Sequence, residues 1–99
     1  MNGAPGEVTV RLPQSLAEHA GGQRRLTIEV GGDRTLAQVL AQVGAVAPGV
    51  GRRVQDETGA VRRYVNVYVG DVECRALDGL RTQVPPGTDV WIIPSVAGG

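Results

Sequence analysis

One stretch of this chain has a helical period strong enough to constrain everything around it. Leu36, Val39, Leu40 and Val43 fall at i, i+3, i+4 and i+7 and make one apolar stripe. Thr35 and Gln38 stand just where a capping box needs them, hydroxyl and amide each satisfying a free backbone donor at the helix start. Gly44 is expected to end this helix, and Pro48-Gly49 to prevent its continuation. Most other apolar residues alternate with polar ones, the period of a half-buried strand. One short, one-sided helix among several such strands calls for a single sheet wrapped over it.

The strands follow from the alternation. In Glu7-Val8-Thr9-Val10-Arg11-Leu12 the residues Val8, Val10 and Leu12 share a face, and Pro13 stops the run. A loop with one helical turn around residues 15–19 leads to Arg25-Leu26-Thr27-Ile28-Glu29-Val30, with Leu26, Ile28 and Val30 inward. These two runs predict a hairpin with a long connection. After the helix, residues 49–61 are a polar excursion, loop or short helix, anchored by Val50 and Val54. Tyr64-Val65-Asn66-Val67-Tyr68-Val69 is the strongest strand, rich in β-branched and aromatic residues. Gly70-Asp71 is a turn, residues 72–76 a short edge strand, residues 77–80 a helical turn, Pro85-Pro86-Gly87 a turn, and residues 89–94 the last strand. That order is the ubiquitin-like β-grasp: an α+β fold with a mixed four- to five-stranded sheet on one main helix. The last strand is expected in the centre, parallel to the first. The whole of 1–99 reads as one domain, with residues 1–6 a flexible N-terminus and 95–99 a flexible functional tail.

Composition removes several classes of function. The single cysteine, Cys74, excludes an internal disulfide framework and a cysteine-built metal site, and fits a reducing cytoplasm. Ten basic and ten acidic residues cancel, so no global field recruits nucleic acid or an anionic membrane. The arginine pairs 24–25, 52–53 and 62–63 lack interleaved aromatics to stack bases and read as solvated faces. No apolar run approaches a membrane span, and no signal-peptide pattern opens the chain. No metal site and no bound cofactor are expected: the carboxylates show no metal-loop spacing, and His19 has no nucleophile or ligand near it in sequence. Cys74 reads as a small buried hydrophobe rather than a sulfur relay.

The final residues are the most telling for function. The apolar run to Ile93-Pro94 passes into Ser95-Val96-Ala97-Gly98-Gly99. Glycine has no Cβ to clash, so such a tail threads a narrow channel and presents its own carboxylate. Together with Arg63-Tyr64-Val65-Asn66-Val67-Tyr68-Val69, Arg75 and Gly79-Leu80, this ending resembles the ubiquitin-like sulfur-carrier proteins of the ThiS/MoaD family, most of all the CysO-type, long MoaD-like branch. The likeness covers most of the chain and is sharpest from Arg63 to Gly99.

The resemblance implies a protein co-substrate rather than an enzyme, with no catalytic residue of its own. A ubiquitin-activating-type adenylating enzyme (MoeB/ThiF-like) would use ATP to adenylate the Gly99 carboxylate, and a sulfur donor would displace AMP to leave a thiocarboxylate. Val96, Ala97 and Gly98 would thread the tail into the partner. The acceptor would be a sulfur-accepting synthase: a cysteine synthase is favoured, with a molybdopterin-synthase large subunit or a thiazole-synthase-like enzyme as alternatives. A zinc peptidase trimming a cysteinyl adduct would accompany the first. The same tail also suits a protein modifier joined through Gly99 to lysines elsewhere, or an inert-tailed binding subunit. Two positions depart from the family: Gly70 replaces a frequent asparagine, and Pro85-Pro86-Gly87-Thr88 replaces a more acidic turn. If Val65, Val67, Val69, Val90 and Ile92 point inward, alternation turns Tyr64, Tyr68, Trp91 and Ile93 outward as a candidate docking face.

Overall fold

The computed structural model describes residues 6–32 and 34–95. Strand β1 (Glu7–Arg11) runs into a short helix α1 (Gln14–Ala17) and a single 3-10 turn (Glu18–Ala20), then returns as β2 (Arg25–Glu29). The two strands pair antiparallel, from Glu7 opposite Glu29 to Arg11 opposite Arg25. Next come β3 (Arg34–Thr35), the main helix α2 (Leu36–Val46), α3 (Pro48–Val54), β4 (Val65–Val69), β5 (Val72–Glu73), β6 (Gln83–Val84) and β7 (Asp89–Pro94). The main sheet has five strands in the order β2-β1-β7-β4-β5. β7 lies centrally, parallel to β1 and antiparallel to β4. This is the expected β-grasp arrangement.

The core is the apolar side of that sheet laid on α2. Val8, Val10, Leu26, Ile28, Val65, Val67, Val90 and Ile92 meet Leu36, Val39, Leu40 and Val43, all buried. Each such side chain contributes about 1.5–3 kcal/mol relative to exposure, set against the entropy of ordering it. The capping box forms as expected: Thr35 Oγ1 accepts from the Gln38 N–H at 3.3 Å, and the Thr35 N–H donates to Gln38 Oε1 at 2.9 Å.

Two local expectations need correction, and one small pairing lies outside them. Gly44 does not end α2, which continues to Val46 and turns at Ala47. The tight spot lies on the facing helix: a Cβ on Gly51 of α3 would stand 2.7 Å from the Gly44 Cα, whereas a Cβ on Gly44 would meet only an ordinary 3.8 Å contact. Pro48 starts α3 at the position where a lost N–H is harmless. The expected edge strand over residues 72–76 is only two residues long, because Cys74–Ala76 winds into a 3-10 turn. The small antiparallel pair of β3 with β6 was not expected; two residues are too few to show a period. The polar excursion after α3 is held by Asp56, whose carboxylate accepts from the Thr58 hydroxyl at 2.5 Å, the Thr58 N–H at 2.8 Å and the Ala60 N–H at 3.2 Å. Those bonds, the Thr58 hydroxyl foremost, hold its carboxyl below the usual carboxylate range.

Candidate functional site

The site is the place where the central strand leaves the sheet. β7 is flanked on both sides, so its direction is fixed by two ladders, with Val65 opposite Pro94 and Thr9 opposite Asp89. The last described link is the Ser95 N–H donating to the Tyr64 carbonyl at 2.5 Å. The tail residues Val96, Ala97, Gly98 and Gly99 lie outside the described residues, as do residues 1–5 and Asp33.

Strand alternation sets the faces around this exit. Val90 and Ile92 are fully buried against the helix, while Trp91 and Ile93 are 40% and 41% exposed on the opposite side. Tyr64 is also exposed and Tyr68 half-buried, so the four candidate residues share the outer face. Tyr68 stands opposite Trp91, and Asn66 opposite Ile93. On the other flank the parallel register sets Arg11 beside Trp91, its guanidinium 5.2 Å from the ring centroid. Arg11 Nε also donates to Asp89 Oδ2 at 3.0 Å. The indole thus carries the Arg11 guanidinium over its ring, with Tyr68 at the facing register position on β4.

Arg11 and Asp89 were not among the residues picked from sequence. The signal was available, since a central last strand parallel to the first brings both flanks of Trp91 together. Arg75 has a structural place at the rim: Nη1 donates to Glu73 Oε2 at 2.9 Å and to Asn66 Oδ1 at 3.4 Å, and Nη2 to the Arg62 carbonyl at 3.1 Å. It ties the β5 edge to the loop before β4, directly beside Ile93's neighbour Asn66.

The remaining candidates fall where the plain reading put them, with one adjustment. Cys74 is buried, and burial, then the adjacent Glu73 carboxylate, pushes its thiol up. A reactive sulfur needs the thiolate, so this thiol is inert. His19 is half-buried rather than free, packed over the start of α3; a Cβ on Gly49 would meet its Cβ at 3.1 Å. No group of three metal-binding side chains exists among the described residues. Gly70 turns with φ +63°, a conformation asparagine also tolerates, so this departure preserves the turn. In the proline turn, Gly87 adopts φ +88° and its N–H donates to the Glu7 carbonyl at 2.7 Å. An open groove of about 500 Å³ between α2 and α3, lined by Leu40, Gly44, Gly51, Arg52 and Arg62, lies in the helical layer away from the strand exit.

Comparison with known proteins agrees with this geometry. The ThiS family matches residues 10–99. The sulfur carrier protein CysO of Mycobacterium tuberculosis is 39% identical, over 93% of this chain and 98% of its own length. Among solved structures, a chain of the Amycolatopsis orientalis BexX/CysO complex superposes with a TM-score of 0.81 at 34% identity, covering 93% of this chain and 99% of that one. SAMP1 from Haloferax volcanii gives a TM-score of 0.81 at 26% identity, covering 95% and 100%.

Proposed function

We infer that this chain, which belongs to the ThiS family, is a sulfur carrier. Its Gly99 carboxylate is adenylated by a ubiquitin-activating-type partner that consumes ATP, and sulfide-level sulfur from a donor then attacks the carbonyl carbon, forming the C–S bond as AMP leaves with its phosphate oxygen. A carboxylate is a poor electrophile and its mixed anhydride with AMP a good one, which is why activation precedes sulfur transfer. The resulting thiocarboxylate hands sulfur to a biosynthetic acceptor. The carrier itself contributes delivery and orientation, and its partners supply the catalytic groups. It holds no cofactor, and it works in the cytoplasm.

The observation that carries this reading is the 39% identity to a sulfur carrier protein over nearly all of both chains. The strand geometry supports it, because β7 runs to Pro94 flanked on both sides, and Trp91, Ile93, Tyr64 and Tyr68 share the outer face beside that end. The CysO likeness favours an acceptor that makes cysteine, acting on an activated serine, with a zinc peptidase to release the product. The SAMP1 likeness, a small archaeal modifier protein, keeps a second reading: conjugation of Gly99 to lysines of other proteins. This chain has no lysine, so it would not serve as its own acceptor.

The test is incubation of the full chain with ATP, sulfide and a cognate activating enzyme, followed by alkylation and fragmentation. The peptide after Arg81 contains neither methionine nor cysteine, so sulfur found there cannot come from oxidation of those residues. An ATP-dependent, alkylatable sulfur on Gly99 is the expected result. AMP loading without sulfur, together with thiol-resistant conjugates in cells, would favour the modifier, and failure of AMP loading would sink both.

A further inference from the structure

The two edges of the main sheet are treated differently. Beyond β5, the free edge of β4 is blocked: Glu73 Oε2 accepts from the Val67 N–H at 3.3 Å, and Arg75 packs over the same carboxylate. The other edge, β2, has no further strand beside it among the described residues. The Leu12 N–H donates to the Arg24 carbonyl and the Val30 N–H to the Gly6 carbonyl, so even-numbered residues of β2 bond inward to β1. The N–H and C=O groups of Arg25, Thr27 and Glu29 therefore point out of the sheet. Gln42 Nε2 reaches the Glu29 carbonyl at 3.2 Å, but that bond is exposed to solvent and the oxygen keeps a second lone pair.

The charges on this edge are self-complementary. Within the chain, β2 sets Arg25 opposite Arg11 and Glu29 opposite Glu7, two like-charge pairs of the kind that destabilise a ladder. Neither the Arg25 nor the Glu29 side chain has a hydrogen-bond or ion-pair partner among the described residues. An antiparallel partner centred on Thr27 with the same sequence would set Arg25 opposite its Glu29 and Glu29 opposite its Arg25. Thr27 would face Thr27, and Leu26 would face Ile28 on the apolar side. All three outward-pointing residues then form hydrogen-bonded pairs. Beside this edge lies Val46, at 64% the most exposed large apolar side chain among the described residues, in a depression shared with Ala20, Leu26 and Ala47.

We propose that two copies of this chain associate through their β2 edges, about a two-fold axis at Thr27, into one continuous ten-stranded sheet. The interface is small, so the dimer is weak and depends on concentration and salt. It uses the edge remote from the plugged β5 side and leaves β7, two strands away, inside each copy.

Sedimentation velocity of the full chain over a range of concentrations tests this. The wild-type weight-average mass should climb toward twice the monomer at high concentration and low salt. Arg25→Glu and Glu29→Arg should each lose that association, although each relieves a like-charge pair within its own chain and so keeps the fold. An equimolar mixture of the two should recover it, because every cross-copy pair is then of opposite sign, and the double variant R25E/E29R should recover it alone. A wild type that stays monomeric overturns the proposal, leaving the edge to some other extended peptide. So do single variants that associate as the wild type does, which would place any contact between copies on another face.

Discussion

At Gly51 the helical layer has no room for a side chain. A Cβ there would press to 2.7 Å on the Gly44 Cα, whereas a Cβ on Gly44 would meet the Gly51 Cα at an ordinary 3.8 Å. The two alanine variants should therefore differ in sign. Gly51→Ala costs overpacking of about 1–3 kcal/mol, only partly offset by the roughly 1 kcal/mol of helix propensity that alanine gains over glycine. Gly44→Ala keeps that gain without the clash. Thermal denaturation should show Gly51→Ala several degrees below the wild type and Gly44→Ala a few degrees above it, at about 4–8 °C per kcal/mol for a chain of this size. Cys74 supplies a second prediction at this scale. Its folded thiol is held above the ordinary thiol range by burial and by Glu73. The unfolded chain thus loses the proton first as pH rises, so this contribution is intact below the ordinary thiol pKa and is lost as pH climbs through the raised folded value. Urea unfolding of Cys74→Val should show a smaller loss of stability than the wild type across that alkaline window. The buried cysteine was legible in sequence as a small hydrophobe. The close approach of Gly51 to Gly44 was not, because a glycine near a helix end reads as a stop unless the crossing of a second helix is known.

Among the elements, α2 owes its start to one side-chain pair. Thr35 and Gln38 exchange bonds across the first turn, and Thr35 also belongs to β3, paired with Gln83 of β6. Thr35→Ala removes the cap and should cost about 0.5–2 kcal/mol, read as a lower urea midpoint with an unchanged slope. Gln38→Ala removes only the reciprocal half and should cost less. The helix start, the apolar stripe and the last strand were legible because each carries a period or a cap within a few residues. The pair β3–β6 was not, since two-residue strands separated by the 47 positions 36–82 leave no local trace. The shortened β5 has a similar cause: Glu73 accepts the Arg75 N–H at 2.9 Å and turns the chain into a 3-10 turn, a side-chain choice that alternation does not record.

For the whole molecule, the order of strands fixes where the chain leaves the sheet. The sheet order β2-β1-β7-β4-β5 puts the last strand between the first and the strongest, and that follows from a chain whose apolar faces must all reach one helix. The outer face around the exit was legible from alternation once Val90 and Ile92 were assigned inward, whereas the Arg11–Asp89 clamp needed the parallel register. Trp91 is the test of that face. It is the sole tryptophan, 40% exposed, with Tyr68 across one ladder and Arg11 across the other. Because its side chain lies outside the core, Trp91→Ala should leave the fold intact by circular dichroism. Because a central aromatic in a docking patch typically contributes 2 kcal/mol or more to binding, the same change should weaken engagement of the activating enzyme by about thirty-fold or more. The loss should appear as a raised KM for the carrier in adenylation, with kcat little altered, since the proposed chemistry takes place at Gly99, eight residues further along the chain. Intrinsic fluorescence gives a readout independent of turnover: emission from the exposed indole should shift to shorter wavelength as partner is added. An unchanged KM together with unchanged emission would show that partners approach from another side and that the tail alone is recognised.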